Sequence, residues 1–103
     1  MAKIDIQKRL DETFDFAFKL LMKDVKKNGV RIAEIQKYND PKRKDIMLVS
    51  IETDCPMWVA ETLGYYIRIS NHGNLRNTSV HPGYYDWDSD TYFKDAASVE
   101  FSV

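Results

Sequence analysis

Three alternating aspartates, Asp86, Asp88 and Asp90, have the spacing in this sequence that comes nearest to a metal-binding loop. Carboxylates at every second position of one loop can converge on Ca²⁺, which is bound by oxygen ligands. An EF-hand loop beginning at Asp86 would also need a glycine and a bidentate glutamate, where this sequence has Thr91 and Ala97. We therefore predict a solvated acidic loop, with no metal ion and no other cofactor.

Cys55, His72 and His81 are the remaining side chains that could bind zinc or act in nucleophilic catalysis. Their spacing matches no zinc-ligand pattern. Cys55 precedes a predicted helix, whose positive end would lower the pKa of the thiol and favour the reactive thiolate. A small enzyme with these three residues at its site is therefore the third functional hypothesis. A cysteine that is simply a small buried side chain is the commoner case, and no CxxC motif accompanies Cys55.

The segment 81–93 combines turn-forming residues, aromatic side chains and the three aspartates, and we call it the acidic-aromatic loop. Tyrosine and tryptophan supply large contact areas at low entropic cost, and aspartates attract a basic partner. The alternative is that the aromatic rings close the core while the aspartates stay in water. We predict that the loop binds another protein through Tyr84, Tyr85, Asp86, Trp87, Asp88, Asp90 and Tyr92.

The leading functional hypothesis is therefore a small, non-enzymatic protein-interaction module whose partner has a basic surface. Such a loop can present spaced carboxylates to a site that otherwise binds phosphate groups, as an inhibitor would. Small chains without a catalytic motif are typical of the accessory and inhibitor proteins that phages and mobile elements encode. The expectation of a phage or mobile-element protein rests on the small size of the chain, and no particular residue supports it.

A nucleic-acid-binding module is the second hypothesis. Tyr66, Arg68 and Ser70 are predicted to share one strand face, and aromatic and arginine side chains on a sheet can stack on bases and bind phosphates. The candidate residues are Arg68, Arg76, Lys42, Arg43 and Lys44. Residues 51–103 hold three Lys/Arg and eight Asp/Glu, a net charge of −5. Residues 1–50 hold twelve Lys/Arg and eight Asp/Glu, a net charge of +4. Because nucleic acids need a basic footprint, we expect protein to be the favoured partner.

Phe16 breaks the pattern of the first predicted helix, since it lies about 140° from the centre of the apolar stripe. Leu20 follows one turn later on the same outer face. The charged side chains predicted around this pair are Arg9, Glu12, Lys19, Lys23 and Lys27. A lone exposed aromatic needs no explanation, but a Phe-Leu pair framed by charges is a candidate surface for self-association. A homo-oligomer through the outer face of the first helix is therefore a further expectation.

Helix and strand patterns define the framework that must position these residues. Apolar residues at helical spacing predict one long helix over 5–28, capped by Asp5 and ended by Asn28-Gly29. The run 30–38 fits neither period cleanly, but its place between Gly29 and a turn favours a strand over a second helix. With the run 46–51 it predicts two strands joined by a turn over 39–45. The second run is apolar on both faces, which predicts a central strand covered on both sides.

The second half of the framework is predicted around Gly64. A short helix is expected over 56–63, capped by Asp54, with Pro56 in its first turn and Gly64 as its stop. The alternative for this segment is a continuing strand. Alternation then predicts a strand over 65–70, which pairs back with a weaker strand over 75–80. A last strand is expected over the alternating residues 99–103.

Together these elements predict an α+β fold, in which a long N-terminal helix packs on a four- to five-stranded, mainly antiparallel sheet with a short second helix. At 103 residues, the whole chain 1–103 is expected to be one globular domain. No apolar run approaches the ~18 residues of a membrane span, and Met1–Asp5 lacks the apolar core of a signal peptide. The sequence therefore predicts no membrane association and, with a single cysteine, no disulfide and a cytoplasmic location.

Overall fold

A computed structural model describes residues 5–103, apart from the side chain of Phe93. The elements are α1 (Ile6–Asn28), β1 (Ile32–Asn39), β2 (Ile46–Thr53), α2 (Pro56–Ile69), β3 (Asn74–His81), β4 (Tyr84–Asp86), β5 (Thr91–Phe93) and β6 (Ala96–Ser102). This is the predicted α+β class. Within residues 5–103 no helix is long and apolar enough to cross a membrane. Most of the segment on which the signal-peptide expectation was based, residues 1–4, lies outside the described residues.

Four strands form one antiparallel sheet in the order β1-β2-β6-β3. Strand alternation turns one face of this sheet towards the two helices. On the central pair of strands that inward face consists of Met47, Val49 and Ile51 of β2, and of Ala97, Val99 and Phe101 of β6. These side chains and the buried faces of α1 and α2 form a single core.

The first helix follows the prediction closely. The Asp5 carboxylate accepts a hydrogen bond from the backbone N–H of Lys8 at 3.0 Å, which satisfies one of the free donors of the first turn. At the other end Gly29 takes the left-handed conformation, with φ of 67°, and its N–H donates to the carbonyl of Val25. The buried stripe of α1 comprises Leu10, Thr13, Phe14, Ala17, Leu21 and Val25.

The strand predicted over 65–70 is wrong, because α2 continues through Gly64 to Ile69. A Cβ atom on residue 64 would lie 3.2 Å from side-chain methyl carbons of Leu75 and Thr78. The glycine therefore lets the helix approach β3 closely, and it does not end the helix. Consequently Arg68 lies on a helix, and β3 pairs with β6 instead of with residues 65–70.

Asp54 does not cap α2, although Pro56 occupies the first turn as predicted. Cys55 stands at the N-cap position without a capping side-chain hydrogen bond. The Asp54 carboxylate instead accepts from the backbone N–H of Arg31 at 2.9 Å, and so joins the start of α2 to the chain before β1. The capping rule identified the right boundary but the wrong partner for this carboxylate.

The prediction that β2 is central is confirmed, but helices cover only one of its faces. Leu48 on the opposite face is 37% exposed, and Ser50 next to it is half-buried. This second face of the sheet, which we call the outer face, carries mostly polar and small side chains. Its side chains range from buried, as at Ile46 and Ser98, to exposed, as at Leu48, and Tyr84 of β4 lines a pocket against it.

The elements place different loops at the two ends of the domain. At the turn end, α1 begins beside the β1–β2 turn, where the side chain of Asn39 donates a hydrogen bond to that of Gln7. At the hairpin end, β3 ends and β6 begins, and the backbone N–H of Thr53 donates to the carbonyl of Asp95 at 3.2 Å. Strands β4 and β5 lie between these last two strands in sequence, and therefore extend from the hairpin end.

Candidate functional site

The acidic-aromatic loop is an ordered β-hairpin rather than an irregular loop. Strands β4 and β5 pair Tyr84 with Phe93, Tyr85 with Tyr92 and Asp86 with Thr91. Residues 87–90 form the turn between them. We call residues 84–93 the aromatic hairpin.

Asp86 fixes the turn of the aromatic hairpin. One oxygen of its carboxylate accepts from the backbone N–H of Asp88 at 3.1 Å, and the other accepts from the hydroxyl of Ser89 at 3.0 Å. The hydroxyl of Thr91 closes the turn by donating to the carbonyl of Ser89 at 3.1 Å. Asp90 takes a left-handed backbone conformation with φ of 53°, which aspartate tolerates better than most residues. Asp86 and Asp90 therefore have structural roles in the turn.

Four aromatic rings of the hairpin, those of Tyr84, Tyr85, Trp87 and Tyr92, lie outside the core. Trp87 at the tip is 85% exposed, and Tyr84, Tyr85 and Tyr92 are also exposed. Tyr85 and Trp87 contact each other edge to face, with ring centroids 4.8 Å apart. The alternative in which these rings close the core is therefore wrong, and the hairpin presents an aromatic surface to solvent.

The three aspartates differ in how they are engaged. The Asp86 side chain is half-buried and accepts two hydrogen bonds, whereas the side chains of Asp88 and Asp90 are exposed. Within residues 5–103 no three His, Cys, Asp or Glu side chains are placed to hold a metal ion. Because Asp88 has neither a turn-forming side-chain bond nor an unusual backbone conformation, it is the aspartate best placed to face a partner.

The base of the hairpin encloses a pocket against the outer face of the sheet. Asp95 anchors this base, since its carboxylate accepts a hydrogen bond from the backbone N–H of Gly83. The pocket measures about 230 Å³. Its lining includes Glu34, Glu52, His81, Tyr84 and Lys94, and we call it the acidic pocket.

Glu34 and Glu52 are two members of this site that sequence patterns did not reveal, and Lys94 is a third. The two glutamates matter most for its charge. They are direct cross-strand neighbours on β1 and β2, and like charges in such a pair repel each other. Among the residues that the structure describes, neither carboxylate forms an ion pair. The predicted strand 30–38 shows no clear alternation, and Glu52 lies just beyond the predicted strand 46–51, so only the register brings the two carboxylates side by side.

The residues of the nucleic-acid hypothesis do not all lie together: Arg43 and Arg76 both lie near Asp45, but Arg68 is on α2. Lys42, Arg43 and Lys44 lie at the turn end, and Arg68 lies on α2 in the helical layer. Two of the five side chains are paired with carboxylates. Arg43 contacts Asp45 at 2.9 Å, which lowers the pKa of Asp45, and Arg76 contacts Glu100 at 3.4 Å. The predicted face shared by Arg68 and neighbouring strand residues does not exist, because those residues are helical.

Cys55, His72 and His81 do not converge. Cys55 and His72 flank opposite ends of α2, whose 14 residues span ~21 Å. His81 pairs with Ala96 on the outer face of the sheet, away from the helices. Partial burial and the neighbouring Asp54 carboxylate raise the pKa of the Cys55 thiol, contrary to the lowering expected from the helix dipole. The three-residue site of the enzyme hypothesis is therefore wrong.

No family model, curated protein or solved structure matches this chain. Its function is therefore inferred from the aromatic hairpin and the acidic pocket, which lie next to each other at the hairpin end.

Proposed function

We propose that the chain is a non-enzymatic protein-interaction module that binds a partner with a basic surface through the aromatic hairpin. The observation that supports this most strongly is the 85% exposure of Trp87 at the tip of a turn held by Asp86. A large apolar ring displayed on a hydrogen-bonded turn has no role in the core. It is the type of side chain that supplies most of the binding energy in protein interfaces.

The ordered turn of the aromatic hairpin lowers the entropic cost of binding a partner. Ordering a side chain or a loop in an interface costs about 0.5–1.5 kcal/mol for each immobilised flexible side chain. The bonds of Asp86 to Asp88 and Ser89 fix the turn in the free protein, so less ordering remains to be done on binding. The contact between Tyr85 and Trp87 restricts the indole ring further.

The charge around the hairpin indicates the chemistry of the partner. From Tyr84 to Asp95 the chain carries four aspartates and one lysine, Lys94. Glu34 and Glu52 add two carboxylates at the base of the hairpin. Such a surface attracts a basic partner and accelerates the encounter. By placing carboxylates at a site where the partner binds phosphate groups, the module would act as an inhibitor of that partner.

The proposal is tested by combining Trp87→Ala with Asp88→Ala. The double variant is expected to lose capture of the partner bound by the wild-type protein, since it removes the anchoring ring and the free carboxylate. Its Tm should stay within a few degrees of the wild-type value, because both side chains are exposed. Capture is measured by pulldown, repeated with the purified partner, and the Tm is measured by circular dichroism.

A matched control is Tyr38→Ala, which removes another exposed aromatic side chain from β1 near the turn end. This control should retain the partner. Unfolding of the double variant would show that the hairpin belongs to the core, and full retention of the partner would place the interface elsewhere. Either result would overturn the proposed function.

A further inference from the structure

The outward surface of the two helices carries apolar side chains that the core does not use. Phe16 of α1 is 44% exposed, and Tyr65 and Ile69 of α2 are 59% and 51% exposed. Phe16 and Ile69 line the same cavity of about 190 Å³ between the helices. Leu20, one turn after Phe16, is half-buried beside them. We call these four residues and the charged side chains around them the helical face.

The two helices present this face as one unit. The hydroxyl of Tyr66 donates a hydrogen bond to the carboxylate of Asp24, which ties α2 to α1 and raises the pKa of the tyrosine. The helices run antiparallel, since Asp54 before α2 bonds to Arg31 after α1, and the end of α2 shares its cavity with Phe16. The two helices that carry the four apolar side chains are therefore held together.

We propose that a second copy of this chain covers the helical face, forming a two-fold symmetric dimer in which the α1 helices pair antiparallel. The proposal is independent of the function of the aromatic hairpin. Phe16 lies near the middle of α1, which runs from Ile6 to Asn28. A two-fold axis that crosses the middle of α1 brings the Phe16–Leu20 segments of the two copies together. This is the self-complementary arrangement that two-fold interfaces require.

The charges of α1 favour the antiparallel arrangement. From Asp5 to Asp15 the helix and its cap carry four carboxylates and two cations, and from Lys19 to Lys27 they carry four lysines and one aspartate. Antiparallel pairing places the acidic half of one copy against the basic half of the other. Glu12 and Lys23 are nearly equidistant from the middle of α1, and both are exposed on the side of Phe16. They therefore face each other across the interface.

The available area agrees with a weak but specific dimer. The 23 residues of α1 and the 14 of α2 are ~35 Å and ~21 Å long, and each helix is about 10 Å wide. The helical face therefore offers roughly 600 Å² per copy, or about 1,200 Å² in total, which is the lower limit for specific interfaces. The charge pairing described above adds orientation to this modest area.

Sedimentation velocity over a range of concentrations tests the proposal. The wild-type protein is expected to shift from monomer to dimer as its concentration rises. Phe16→Glu should raise the dissociation constant of the dimer by about tenfold or more, because it places a carboxylate in the apolar centre. Glu12→Lys and Lys23→Glu should each weaken the dimer severalfold. The double variant Glu12→Lys with Lys23→Glu should restore it, since both copies then carry the reversed pair.

Separate control experiments check the folding of the variants and the contribution of the aromatic hairpin to dimer formation. Circular dichroism checks each variant, and the charge variants stay informative even where Phe16→Glu alters folding, because Glu12 and Lys23 are exposed. Trp87→Ala should leave the dimer unchanged. A wild-type protein that stays monomeric at its highest soluble concentration overturns the proposal. A dimer that is unaffected by Phe16→Glu, or that dissociates with Trp87→Ala, also overturns the proposal. If the double charge reversal fails to restore association, the antiparallel pairing is rejected.

Discussion

Replacing the turn Trp87–Asp90 by Asn-Gly is expected to abolish partner binding while the rest of the domain stays folded. The paired residues Asp86 and Thr91 would then be joined by a two-residue turn of the type that antiparallel strands favour. The change removes Trp87 and Asp88 together and keeps all three backbone pairs of the aromatic hairpin. Loss of an anchoring tryptophan and a steering carboxylate should weaken binding by on the order of a hundredfold or more.

The stability of the shortened protein should change little. The removed side chains are exposed, and a shorter loop costs less entropy to close, so we expect a change within about 0.5 kcal/mol in the free energy of unfolding. The matched control is Lys42→Ala with Lys44→Ala at the turn end, which should bind the partner normally. Isothermal titration with the purified partner measures both. Normal binding by the shortened protein would place the interface outside the turn, and loss of binding in the lysine control would favour a basic interface at the turn end.

Gly73→Ala is expected to destabilise the domain by about 1–3 kcal/mol, the usual cost of overpacking. A Cβ atom on residue 73 would lie 2.7 Å from the carbonyl oxygen of Ile67 and 2.8 Å from the methyl carbon of Thr13, and it would also clash with the hydroxyl of Ser70. The Ser70 hydroxyl donates to the Ile67 carbonyl at 2.5 Å and accepts from the N–H of Gly73 at 3.0 Å. The substitution therefore disturbs both the end of α2 and its contact with α1.

Gly64→Ala is the matched control for this prediction. Its Cβ atom would meet only side-chain methyl carbons of Leu75 and Thr78 at 3.2 Å, which can shift by a few tenths of an ångström. Replacing a glycine inside a helix by alanine contributes roughly 0.5–1 kcal/mol of stability, which offsets the tight contact. Urea denaturation of the two variants should show a lower midpoint for Gly73→Ala alone, at an unchanged slope. Equal midpoints would contradict the packing described for Gly73.

Local signals in the sequence predicted the parts of the fold that depend on local physics. Asp5, the apolar stripe and Gly29 define the ends and the buried face of α1 without reference to any other element. The alternating residues 99–103 likewise indicated the last strand, which the structure places over Ala96–Ser102. In each case the residues that decide the structure lie within a few positions of one another.

The errors arose where distant contacts override a local rule. Gly64 matches the pattern of a helix stop. Its role is instead set by contacts with Leu75 and Thr78 on β3, a strand that was predicted to pair with residues 65–70. Asp54 has the form of a helix cap, but Arg31 provides a donor from before β1. The helix-dipole rule also fails at Cys55, because partial burial of the thiol and then the neighbouring Asp54 carboxylate raise its pKa.

The candidate site shows the same division. The composition of 81–93 indicated an aromatic and acidic surface, and the structure displays those residues on a hairpin. The division of roles between Asp86 in the turn and Asp88 in solvent depends on hydrogen bonds that composition cannot show. The pairing of Glu34 with Glu52 depends on the register of β1 against β2, which spacing within either strand leaves open.

Amide hydrogen exchange of the protein, with and without its partner, tests most directly the claim that the aromatic hairpin is the working surface. We predict slower exchange across residues 84–93 in the complex, together with the outer-face strands around Glu34 and Glu52. Exchange in the β1–β2 turn, at the opposite end of the domain, should stay the same. Protection confined to that turn or to the two helices, with the hairpin exchanging as in the free protein, would contradict the proposed interface.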